Sequence, residues 1–193
     1  MKEKVKTVQY RRKQEGRTNY KKRLNLLKSG IPRLVVRKSL KHINAQIVKY
    51  YPEGDKVIAS VNSKALEKFG WRGKGNIPGS YLTGLLLGKK AKQDKNIKKA
   101  ILDIGMLSPV KGSKVYAVLK GATDAGIEMP YSEEVVPSDD AIQGKNIEGY
   151  ARKLKDSNPE RFKKQFSGYL KNNFDPTMIQ KNFNEVKDKI IGK

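Results

Sequence analysis

IPRLVVRKSLKHINAQIVKYYPEGDKVIASVN, residues 31–62, decides the fold. Pro32 forces extended backbone on Ile31. In Arg33–Lys38, Leu34 and Val36 then share one face of a strand, with Arg33, Val35 and Arg37 on the other. Ser39-Leu40-Lys41 is a short polar turn. From His42 to Tyr50, Ile43, Ala45 and Ile47 alternate with Asn44 and Gln46, as in a strand with one wet face. Pro52-Glu53-Gly54-Asp55 reads as a tight turn, and Lys56–Asn62 as a third strand with Val57, Ala59 and Val61 inward. Three consecutive strands on short turns predict an antiparallel meander.

Downstream of the meander the period changes. Ser63–Phe69 reads as a short helix stopped by Gly70, followed by a glycine-rich loop over residues 70–79. Ser80 opens a helix over Tyr81–Gln93, with Leu82, Leu85 and Leu86 as its apolar stripe and Lys89, Lys90 and Lys92 in the last turn. Ala100–Gly105 is a short buried strand. Ser113 caps a helix carrying Val115, Val118, Leu119 and Ala122, and Gly126 ends it. The fold class is therefore α/β (α+β): a three-stranded meander extended by a further strand into a mixed sheet packed by helices.

The last third is helical. Ser138-Asp139-Asp140 starts one helix; Asn158-Pro159 and Asp175-Pro176 start two more, each a cap followed by proline at the first helical position. Phe162, Phe166 and Leu170 line one, and Ile179, Phe183, Val186 and Ile190 the other. These stripes are narrow, so the helices are expected to cover the domain or a partner and not to form a second core. The expected division is a basic arm at 1–30, an α/β core domain at 31–130 and a helical C-terminal extension at 131–193.

Upstream of the meander, charge dominates. The first 49 residues hold sixteen Lys and Arg against Glu3 and Glu15, which places about +14 of the formal +23 in the first quarter of the 193 residues. Tyrosines and amides are interleaved, as in Arg17-Thr18-Asn19-Tyr20-Lys21-Lys22-Arg23. Cations at this density neutralise phosphates and release counterions, while tyrosine and amide groups can stack on bases or reach their edges. Apolar content of 37% is low, so residues 1–30 read as an arm, partly helical at most, that orders on a partner. Nucleic acid is the expected partner.

Other chemistries find little support. Without cysteine there is no disulfide, thiolate metal site or Cys nucleophile. The N-terminus is charged from Lys2 onward and lacks the apolar core of a signal peptide. The longest leucine run, Leu85-Leu86-Leu87, is far short of a membrane span. A soluble cytoplasmic protein is expected, with neither membrane nor small-molecule substrate as partner and with no cofactor. His42, the single histidine, sits among Lys38 and Lys41 with no serine and carboxylate beside it; a surface or RNA-contacting role suits it better than a relay. A metal-dependent nuclease needs clustered carboxylates. Asp103 has no acidic partner at matching strand positions and reads as a capping or network residue. Gly73-Lys74-Gly75 with Gly79 misses the dinucleotide fingerprint by one residue and follows a helix, and Gly84–Lys90 misses the phosphate-loop spacing. Residues 70–79 are left as a flexible connection or an RNA contact, with Arg72 and Lys74 on phosphate and Trp71 stacking on a base or buried. Lys111-Gly112-Ser113-Lys114, at a helix start, is a second candidate phosphate site.

Arg11-Arg12-Lys13, Glu15-Gly16-Arg17-Thr18-Asn19-Tyr20, Leu27-Lys28-Ser29-Gly30 and Pro32–Arg37 resemble the start of the archaeal branch of the large-subunit ribosomal protein eighteen family, the 5S-RNA-binding proteins. The resemblance continues through Phe69-Gly70-Trp71, Asn76-Ile77-Pro78, Tyr81–Leu86, Leu102–Gly105, Ser108-Pro109, Gly112–Val115 and Gly121–Gly126. It covers residues 10–130 in order and weakens beyond Pro130. It implies a non-catalytic constituent of the large subunit that binds 5S rRNA and attaches it to 23S rRNA in the central protuberance, beside other large-subunit proteins. By position, it implies RNA contacts at Arg11, Arg12, Lys13, Arg17, Asn19, Tyr20, Lys22 and Arg23 of the arm. Arg33, Arg37, Lys38 and His42 follow from the meander, then Trp71, Arg72, Lys74 and Asn76, then Lys111, Ser113 and Lys114. The competing reading is an RNA-processing nuclease or RNA-modifying enzyme of similar build.

Overall fold

The computed structural model describes residues 7–73, 75–95 and 97–192. Strands β1 (Arg33–Lys38), β2 (Ile43–Lys49) and β3 (Lys56–Asn62) form the antiparallel meander, and β4 (Ile101–Asp103) adds to β1 in parallel. The sheet is mixed, in the order β3-β2-β1-β4. Leu34, Val36, Ile43, Ala45 and Ile47 are fully buried on its inner face, as their alternation requires.

Val57 departs from the expected pattern. Ala59 pairs with Ile47 but Val57 pairs with Val48, so one residue of β3 is skipped at a bulge. A one-residue slip reverses the facing. Val57 therefore lies half-exposed on the outer face beside Val35 and Val48, and Ile58 packs toward the core.

Helices α3 (Ile77–Lys95) and α4 (Lys114–Asp124) cover the inner face. Their close approach depends on glycine. A Cβ on Gly84 would overlap the Val118 carbonyl, and one on Gly121 the Tyr81 carbonyl. The Gly84–Lys90 glycines thus serve helix packing. Helix α3 begins at Ile77, before the expected Ser80. Asn76 Oδ1 accepts from the Gly79 N–H at 2.9 Å, and Pro78 stands in the first turn where no N–H is needed.

The C-terminal helices are α5 (Asp139–Gln143), α6 (Lys145–Ser157), α7 (Pro159–Gln165), α8 (Ser167–Leu170) and α9 (Ile179–Ile191). Asn158 and Asp175 cap as expected, accepting from Arg161 N–H at 3.0 Å and Thr177 N–H at 2.9 Å. The expectation of no second core is corrected. Ile179, Phe183, Val186 and Ile190 join Leu66, Trp71, Tyr81, Leu82 and Leu85 in a cluster on the far side of α3. Ala151, Leu154, Phe162 and Phe166 form a third, smaller cluster. Leu170 is half-exposed, because the helix expected over Phe162–Leu170 breaks at Phe166. With α3 buried on both sides, the protein is layered as sheet, α3–α4 pair and C-terminal helices, which leaves the outer sheet face to the arm.

Candidate nucleic-acid interface

The arm contributes helices α1 (Arg11–Gln14) and α2 (Tyr20–Leu27), neither with a buried residue. Asn19 caps α2 by accepting from the Lys22 N–H at 3.0 Å, and the Tyr10 and Tyr20 rings lie 5.1 Å apart. Glu15 accepts from Arg11 Nε at 2.8 Å and forms an ion pair with Arg17 at 3.1 Å, and Arg12 Nε donates to Thr18 Oγ1 at 2.9 Å. Exposed pairs of this kind contribute little to stability. The three arginines are exposed, as are Lys13 and Lys22.

Between the arm and the outer sheet face lies a hollow of about 670 Å³, lined in part by Arg12, Arg17, Asn19, Lys22, Arg23 and Arg37. A charge network closes its floor. Arg33 Nη1 donates to Asp103 Oδ2 at 2.6 Å and Arg33 Nη2 to Asp55 Oδ2 at 2.7 Å, and Arg23 reaches the same Asp55 oxygen at 2.8 Å. Arg37 donates to the Asp103 carbonyl at 2.9 Å and approaches its carboxylate at 3.4 Å, while the Gly105 N–H donates to Asp103 Oδ1 at 2.8 Å. Asp103 is thus a network residue, as its sequence context suggested.

The expected contacts therefore separate. Arg33 is only 4% exposed and is committed to two carboxylates, so its side chain is a structural ion and offers no free surface to RNA. Arg37, with its side chain 48% exposed, presents one edge outward while the other is fixed. Lys38 is exposed at the end of β1. Asp55 went unrecognised from sequence: it read as a turn residue, and only the surplus of arginine on the outer face hinted at an acid partner there.

Trp71, 2% exposed, takes the buried one of its two expected placements. Its ring packs edge-on against Phe183 in the α3–α9 cluster and is not placed as a stacking platform. Among the described residues its indole N–H has no acceptor. Gly70, at φ +90°, turns the chain into this corner as a left-handed cap that a side chain would strain. Arg72 is exposed beyond it. Lys74 lies outside the described residues. Asn76 is turned inward: it donates to the Tyr169 hydroxyl at 3.0 Å as well as capping α3. Burial holds the Tyr169 phenol above its ordinary pKa, against the opposing effect of the Asn76 hydrogen bond. His42 is half-buried with Nδ1 3.3 Å from Ser63 Oγ. Lys111 pairs with Glu134 at 2.9 Å on the surface, and Ser113 occupies the N-cap position of α4 without a side-chain cap bond, next to Lys114.

The protein is thus a mixed α/β domain whose outer sheet face carries a surface hollow lined by arginines, with the acids beneath it paired to arginine. Residues 4–99 and 89–132 match the model of a family described as ribosomal large subunit proteins 60S L5 and 50S L18. The match spans about two-thirds of the chain, and the chain belongs to that family. It is a ribosomal protein of the large subunit, an rRNA-binding component of the translating ribonucleoprotein.

Proposed function

We propose that this chain binds 5S rRNA and attaches it to 23S rRNA in the central protuberance of the large subunit, among neighbouring large-subunit proteins. It does so in the cytoplasmic ribosome and makes or breaks no covalent bond. The observation that carries this reading is the basic hollow between the arm and the outer sheet face, combined with membership of the family. The arm cations supply the salt-sensitive share of affinity, and the sheet edge with its fixed Arg37 supplies register on a structured RNA. The contact set proposed is Arg11, Arg12, Lys13, Arg17, Asn19, Tyr20, Lys22, Arg37 and Lys38, with Lys111 and Lys114 outlying.

A titration against salt tests it. Neutralising about eight phosphates gives a slope of log K on log salt of about −6 to −7. Replacing Arg11, Arg12 and Arg17 together by Ala should weaken 5S rRNA binding severely and leave thermal unfolding nearly unmoved. A parent slope shallower than about −2 rules the arm out as the electrostatic grip.

A further inference from the structure

Helix α2 of the arm has eight residues and none buried, a length that is marginal in water even with the Asn19 cap. It needs an anchor to stand where it does. Among the described residues, one polar contact joins α1 and α2 to the sheet: Arg23 Nη2 donates to Asp55 Oδ2 at 2.8 Å, across 32 residues of chain. Leu26, half-buried, lines the hollow nearby with Val35, Val48 and Leu102.

An acid is out of place on this face. Arg12, Arg17, Lys22 and Arg37 line the same hollow, and a carboxylate among them repels the phosphates that they attract. Arg33 alone does not account for Asp55, because Asp103 already balances its charge at 2.6 Å. What Asp55 adds is reach. It stands in the turn between β2 and β3, and its Oδ2 accepts from Arg33 at 2.7 Å as well as from Arg23. Arg33 is 4% exposed and fixed by Asp103, so it holds that oxygen aimed at the arm. A chain of alternating charge thus runs Asp103–Arg33–Asp55–Arg23, from β4 through β1 and the turn to α2. Its outer pair is partly shielded, with 37% of the Arg23 side chain and 25% of the Asp55 side chain exposed, and is screened less than a fully solvated one.

We infer that Asp55 is a latch, a positioning residue that fastens α2 to the outer sheet face in the free protein, so that the basic hollow is formed before RNA enters it. Arg23 is committed to Asp55 and neutralises no phosphate. Helix α2 does not wait for a partner to order, and the entropy of ordering it does not weaken RNA binding. The latch deepens the reading of the arm as the grip on 5S rRNA and rests on it; the experiment separates the two.

Amide hydrogen exchange of the full chain without RNA reads the latch directly. In the parent, the amides of residues 23–27 should exchange at least about tenfold more slowly than in an unstructured chain. Arg23→Gln and Asp55→Asn should each speed that exchange at least about threefold, the effect of one partly shielded charged hydrogen bond. Both together should add nothing further, since either change alone opens the pair. Arg33 keeps both acids in Arg23→Gln, so its thermal midpoint should stay within about 2 °C of the parent. Against 5S rRNA, Arg23→Gln should lower affinity about threefold and leave the salt slope within about 0.3 of the parent's. A slope shallower by about 0.7–0.9 would put Arg23 on phosphate and overturn the latch. Unprotected α2 amides in the parent, or parent-like exchange in both single variants, would overturn it too. The variant with Arg11, Arg12 and Arg17 replaced by Ala keeps both latch residues. Parent-like 5S rRNA binding by that variant would remove the proposed function, while the exchange result still decides the latch.

Discussion

Arg33→Met distinguishes a structural ion from an RNA contact. The substitution keeps the apolar stem and removes the guanidinium, leaving Asp103, 7% exposed, without its 2.6 Å partner. Breaking a buried pair by removing one member costs about 3–5 kcal/mol, chiefly because the remaining charge is stranded. Here Asp103 keeps the Gly105 N–H and a long contact to Arg37, and the partly exposed Asp55 keeps Arg23 and water. The lower part of the range applies, about 3–4 kcal/mol. At about 2–4 °C per kcal/mol for a chain of this size, the midpoint should fall by roughly 6–16 °C. Adding Asp103→Leu removes the stranded carboxylate and should recover at least half of that loss. Thermal unfolding followed by circular dichroism measures both, and 5S rRNA affinity is read well below the midpoint. An Arg33→Met midpoint within about 2 °C of the parent, together with a tenfold loss of RNA affinity, would refute the assignment of Arg33 to the interior.

Two further outcomes follow from packing and capping. Gly84→Ala drives a methyl group into the Val118 carbonyl at the α3–α4 contact and should destabilise by about 1–3 kcal/mol in urea unfolding, without changing the salt slope of RNA binding. Asp175 is opposed by partial burial, but hydrogen bonds from the Thr177 N–H and hydroxyl, and then Lys155, hold its pKa below the ordinary value. A lowered folded-state pKa contributes stability that is present above the unfolded value of about 3.9 and is lost as pH falls through the folded one. Asp175→Ala should therefore cost about 1 kcal/mol at pH 7, the usual value of such a cap, and the gap to the parent should narrow in urea titrations below about pH 4. A gap that widens in acid would contradict the cap.

The meander and the sheet class were legible because Leu34 and Val36 in β1 and Ile43, Ala45 and Ile47 in β2 recur at period two, which admits few alternatives. The bulge in β3 was not, since Val57 and Ile58 are equally apolar and only pairing with Val48 decides which faces inward. The start of α3 was hidden by Asn76-Ile77-Pro78-Gly79, whose turn-forming composition also suits a capped first turn. The arm was legible as charge, and its candidate contacts largely remain on the surface. Arg33 was misplaced, and Trp71 stayed undecided between stacking and burial, for one reason. Each is buried by partners far along the chain: Asp103, seventy residues on, for one, and the α9 phenylalanine Phe183 for the other. Local pattern carries no information about such partners. The α6 helix lacked a recognised start because Gly144, in a left-handed conformation, both ends α5 and precedes it.

The central claim is that a basic arm and an outer sheet face grip 5S rRNA in particular, non-catalytically. Competition at physiological salt among 5S rRNA, an unrelated folded RNA of equal length and duplex DNA tests it most directly. 5S rRNA should bind at least about tenfold more tightly than either competitor and be recovered uncut; equal affinities, or cleavage of the RNA, would contradict this.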